Sequence, residues 1–74
     1  MNYFNMKEKA DIMRQAIEKK LATMDVTVYN VDLFTGDERE GTYFIDVEIG
    51  GSPEKYKRWY GYMVETKIRK IFGI

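Results

Sequence analysis

The side chains able to do chemistry in this 74-residue chain are few in kind: twelve carboxylates, twelve lysine or arginine cations, a single serine, and neither cysteine nor histidine. Nucleophilic catalysis needs an activated hydroxyl, thiol or amine with a base to take its proton, and the usual bases and the thiol are missing. Ser52 stands before "PEK" in a helix-start pattern, where its hydroxyl is expected to cap rather than attack. Zinc would lack its imidazole and thiolate ligands. The segment "GDEREG" carries neither the lysine of a phosphate-binding loop nor the ligand spacing of a calcium loop. Paired carboxylates alone could hydrolyse glycosides, but that requires a cleft that so small a domain rarely encloses. The expectation is a protein that is not an enzyme, with no catalytic residue, no metal and no cofactor.

What remains is charge, and it is unevenly spread. Residues 25–49 hold seven acids against Arg39 alone, whereas residues 53–74 hold six bases against Glu54 and Glu65, although the formal net charge of the chain is zero. Such asymmetry speaks to partners rather than to fold. In the acidic half, Asp32, Asp37, Glu38, Glu40, Asp46 and Glu48 accompany two aromatics, Phe34 and Phe44. Large rings rimmed by acids suit a protein interface, the rings supplying affinity and the charges supplying register and steering. In the basic half, Lys55, Arg58, Trp59, Tyr62 and Arg69 interleave cations with rings, a pattern that suits single-stranded nucleic acid through phosphate neutralisation and base stacking. Neutral total charge, the acidic segment and the lack of a GxxG clamp or RNP motif rank that surface second.

These residues need elements to hold them. "NMKEKADIMRQAIEKKLATMD" reads as a helix capped by Asn5 with Glu8 as reciprocal partner, its apolar stripe formed by Met6, Ala10, Met13, Ile17, Leu21 and Met24. "VTVYNVDLF" and "TYFIDVEIG" read as strands, the second alternating Tyr43, Ile45, Val47 and Ile49 against Thr42, Phe44, Asp46 and Glu48. A hairpin with Phe34 opposite Thr42 places Leu33 by Tyr43, Val31 by Ile45 and Tyr29 by Val47, so the apolar sets coincide. Its other side would show Val26, Val28, Asn30 and Asp32 beside Phe34, Phe44, Asp46 and Glu48. After Gly50 and Gly51, "SPEK" signals a second helix through "EKYKRWYGYMVETKIRKIF" with Tyr56, Tyr60, Met63, Val64 and Ile71 inward, Gly61 at a close crossing and Gly73 as stop.

The expected architecture is therefore one α+β domain over residues 1–74, of order αββα: a two-stranded antiparallel hairpin with both helices on one face. Edge pairing of two copies would complete a four-stranded sheet, since a small core without disulfides is commonly reinforced by oligomerisation. No segment approaches the roughly 20 apolar residues of a membrane span, which leads to an expectation of a cytoplasmic protein. The expected role is a small regulator or inhibitor whose acidic hairpin docks on a basic site of a larger protein, in the manner of phage or mobile-element antagonists of nucleic-acid-processing host enzymes, as a homodimer. A nucleic-acid-binding module using the basic C-terminal segment is the alternative.

Overall fold

The structure, a computed structural model, describes residues 3–35 and 41–74, with side chains from residue 6 onward. Helix α1 (Tyr3–Ala22) is followed by strands β1 (Thr27–Thr35) and β2 (Thr42–Gly50), a single 3-10 turn at Pro53–Lys55, strand β3 (Lys57–Val64) and helix α2 (Glu65–Phe72). The fold is α+β, with two helices and a three-stranded antiparallel sheet in the order β1-β2-β3. The expected two-stranded hairpin is thus widened by a third strand, cut from the segment expected to be the first half of a long second helix.

The reason lies in that segment's composition. "KRWYGYMV" is rich in rings, alternates with period two, and carries at Gly61 a backbone φ of 122°, a conformation that a helix does not use and that side-chain-bearing residues rarely adopt. A Cβ at residue 61 would meet no atom within 4 Å, so the glycine answers a backbone requirement and not the close crossing expected of it. The Ser52–Pro53 start signal is real but short, yielding one 3-10 turn in which Ser52 makes no side-chain capping bond. Gly73 does end α2, in the left-handed conformation at φ 66°.

The helices lie on one side of the sheet. Ala10, Met13, Ile17 and Leu21 of α1 and Ile68 and Phe72 of α2 are buried together with Leu33 of β1 and with Tyr43, Ile45, Val47 and Ile49 of β2. The alternation read in β2 is observed from Tyr43 to Ile49, whereas Thr42, expected with the outward set, is buried at the start of the strand. The α1 stripe is also observed, except that the helix ends at Ala22 and leaves Met24 outside it and exposed. At its other end α1 starts at Tyr3, which puts Asn5 inside the helix rather than at its cap.

The hairpin register differs from the expected one by two residues: Phe34 pairs with Phe44, Leu33 with Ile45 and Val31 with Val47. A shift of two preserves which face each side chain takes, since the strand period is two. It also brings Phe34 and Phe44 into a stack with centroids 5.2 Å apart, a cross-strand pair that favours this register over the alternative. A register irregularity between Val28 and Asn30 interrupts the alternation, so Val28 pairs with Ile49 rather than joining the uncovered face. Tyr29, expected inward, is 59 % exposed, and its ring occupies the space where a Cβ of residue 50 would lie, 2.5 Å from the nearest ring carbon. Val26 likewise packs against the core instead of facing outward.

Candidate interaction surface

The sheet face opposite the helices is built row by row from the strand pairing. One row is Phe34, Phe44 and Tyr62; the next is Asp32, Asp46 and Tyr60; the third is Asn30, Glu48 and Arg58. Each row takes one residue from each strand, and the three rows alternate with the buried rows beneath. No described helix covers this side.

Its apolar end is an aromatic cluster. Phe44 lies at the centre, stacked on Phe34 and approached edge-on by Tyr60 and Tyr62, with all three centroid distances at 5.2 Å. The outer rings are open, at 54 % exposure for Phe34, 62 % for Tyr60 and 51 % for Tyr62, whereas Phe44 is half-buried by its neighbours. A monomeric domain rarely leaves so contiguous a ring surface in water without use.

Its polar end is a charge network centred on Arg58. The guanidinium donates from Nε to Asp46 Oδ1 at 3.0 Å and from Nη2 to Asp46 Oδ2 at 3.1 Å, a two-pronged grip that a lysine could not reproduce. Glu48 Oε2 stands 3.7 Å from Nε, and the Arg58 Cζ lies 4.7 Å from the centre of the Tyr60 ring. The hydrogen bond to Asp46, followed by the nearby acids, raises the Arg58 pKa above its ordinary value. Tyr56 donates its hydroxyl to Glu48 at 2.9 Å, and this bond is the main cause of the raised pKa of its phenol. Asn30 Nδ2 donates to the Asp46 carbonyl, tying β1 to β2 at the same row boundary.

The two surfaces read from the sequence as competitors are thereby partly merged. Phe34, Phe44, Asp32, Asp46 and Glu48 come together as expected, and Arg58 and Tyr62 join them because β3 is a strand. Trp59 does not; it turns to the helix side and packs on Phe72 at 4.9 Å. Lys55 sits in the turn before β3 and pairs with Asp25 at 3.2 Å, while Arg69 pairs with Glu65 at 3.1 Å within α2. Tyr60 and Tyr56, expected inward, belong to the open face and were missed. The period-two run Arg58, Tyr60, Tyr62, Val64 was the signal that could have found them. Asp37, Glu38 and Glu40 lie outside the described residues.

Among the described residues there is no group of acidic side chains placed to hold a metal ion, and no helix is long and apolar enough to cross a membrane. A small surface groove between α1 and the end of β1, lined by Lys7, Glu8, Ala10, Asp11, Leu33, Phe34 and Thr35, adjoins the aromatic end of the open face. No protein-family model matches the chain, no curated protein matches it, and no solved structure matches it.

Proposed function

We propose that the protein is a non-enzymatic interaction module that acts by docking the open face of its sheet onto a larger protein with a basic surface, as a regulator or inhibitor. The observation that carries this is the Phe34, Phe44, Tyr60, Tyr62 cluster lying exposed beside Asp32, Asp46 and Glu48. Rings held against one another on a sheet lose little further freedom on binding, which makes them efficient anchors. The adjacent carboxylates select a cationic partner and discourage anionic ones. Action as an inhibitor is consistent with a domain that can occupy a surface and whose sequence has neither histidine nor cysteine.

The test is capture of partners from the native host on tagged wild-type protein and on tagged Phe44→Ala. A protein retained by the first and lost by the second supports the proposal; equal retention by both removes it.

Nucleic acid is the second candidate, supported by Arg58 and Tyr62 standing on a ring-bearing face. Against it, the Arg58 guanidinium is already committed to Asp46, and phosphates would meet three carboxylates. Anisotropy titration with a single-stranded oligonucleotide is expected to show no submicromolar, salt-sensitive binding. Self-association is a subsidiary proposal, supported by β1 and β3 being the two edge strands among the described residues; with three strands in each copy, edge pairing would give six strands and not the expected four. Light scattering after gel filtration over a range of concentrations tests it, and a constant monomer mass would exclude it.

A further inference from the structure

We infer that the anchor recognised on the partner is an arginine side chain, seated on the β1 side of the open face between Asp32 and the stacked rings of Phe34 and Phe44. This rests on the docking of that face proposed above. The β3 side of the face displays the same chemistry already occupied: a carboxylate, Asp46, grips the Arg58 guanidinium at 3.0 and 3.1 Å while the Tyr60 ring lies 4.7 Å from its carbon. Across the β1–β2 ladder, Asp32 is paired directly with Asp46, and Phe34 follows Asp32 on the same face. Carboxylate and ring are thus repeated there, and among the described residues no cation is paired with Asp32.

Like charges set opposite one another across an antiparallel pair oppose folding; Arg58 already offsets the charge of Asp46, and a second cation at Asp32 would offset the other carboxylate of the pair. Asp46 spends both oxygens on Arg58, which leaves Asp32 as the principal acceptor for the newcomer. A guanidinium fits this place better than an ammonium for two reasons. It can donate two parallel hydrogen bonds to one carboxylate, and its weakly hydrated plane can lie against an aromatic ring, whereas an ammonium is a compact and strongly hydrated charge. Of the four arginines in this chain, Arg14, Arg58 and Arg69 are each held by carboxylates of their own chain and Arg39 lies outside the described residues, so the titration below includes a second copy as one of its outcomes.

The experiment is a two-dimensional nitrogen–proton NMR titration of the whole chain with N-acetyl-arginine amide and, in parallel, with N-acetyl-lysine amide. Saturable shifts at Asp32, Phe34 and Phe44 are expected with the arginine probe, with lysine binding about fivefold more weakly for want of the forked contact. Asp32→Asn, which relieves repulsion at an exposed position and therefore keeps the fold, is expected to abolish the response. Equal binding of the two probes, shifts that survive Asp32→Asn, or no shifts at all would overturn the inference. So would shifts at these amides caused by raising the protein concentration alone, which would give the face to a second copy, or by an oligonucleotide, which would give it to nucleic acid. Partner capture separates this from the broader proposal: if Phe44→Ala abolishes capture while the arginine titration fails, the docking face stands and only the arginine assignment falls.

Discussion

The two faces of the sheet are made by the same three strands and are used in opposite ways. Beneath the helices, Ile45 and Val47 have no exposed surface, and apart from the Tyr43 hydroxyl the core residues around them offer shape and apolar area. Complementarity there is settled within the chain. On the other face the rings are as large but stand half in water, and charged groups are stitched to one another across strands, Arg58 to Asp46 and Tyr56 to Glu48. The lesson is that a small domain can place its core on one sheet face alone and order the second through side-chain contacts across its strands.

The largest effect should come from breaking the covered face. Ile45→Ala removes a fully buried side chain and is expected to cost about 2–5 kcal/mol, read from urea denaturation. A loss below that range would mean that the two faces are less different than described. Gly61→Val should come next, at about 1–3 kcal/mol, because a β-branched residue is forced to φ 122° even though space is open beside it. A neutral outcome would show that β3 relaxes at this point.

Phe44→Ala sharpens the comparison from the open side. It deletes the centre of the ring cluster and should cost about 1 kcal/mol in lost ring contacts, with the circular dichroism spectrum retained. Its main effect should appear in binding, as a faster dissociation rate from the captured partner in surface plasmon resonance. Glu48→Ala, on the same face, should cost no more than about 1 kcal/mol, since the partners it loses, Tyr56 and Arg58, remain open to water. If Glu48→Ala and Ile45→Ala lost equal stability, the assignment of faces would be wrong.

A pH dependence provides the smallest test. Burial, and then the neighbouring carboxylate of Glu65, to which its hydroxyl donates at 3.5 Å, raise the Tyr43 pKa above its ordinary 10.0. A phenol whose pKa is higher in the folded than in the unfolded chain stabilises the fold in its protonated form. That contribution is complete below the unfolded value of about 10 and is lost as pH rises through the folded one. Denaturation midpoints should therefore fall on the alkaline side, and fall less in Tyr43→Phe.

The legible parts of the protein were those in which local pattern and tertiary demand agree. In β2 a strict alternation puts one set of residues inward in any register, so the facing of Asp46, Phe44 and Glu48 could be read even though the pairing was misjudged by two positions. Tyr29 could not be read, because a single irregularity in β1 reverses the facing of everything before it. The 57–64 segment was obscured by a proline-led start signal ahead of it and by a helix after it, two local cues that frame a strand without marking it.

By itself, the sequence determined the α1 stripe, the inward set of β2, the stop at Gly73 and the gathering of acids around Phe34 and Phe44. Each follows from side-chain type and short-range spacing. Only the tertiary structure decided that the basic segment crosses the acidic one. β2, central in the sheet, has two backbone edges to satisfy; β1 takes one, and "KRWYGYMV" takes the other because its rings and Gly61 suit a pleated strand better than a helix. That choice alone carries Arg58 to Asp46 and Tyr60 and Tyr62 to Phe44, since contacts between residues so far apart in the chain depend on strand pairing and not on spacing.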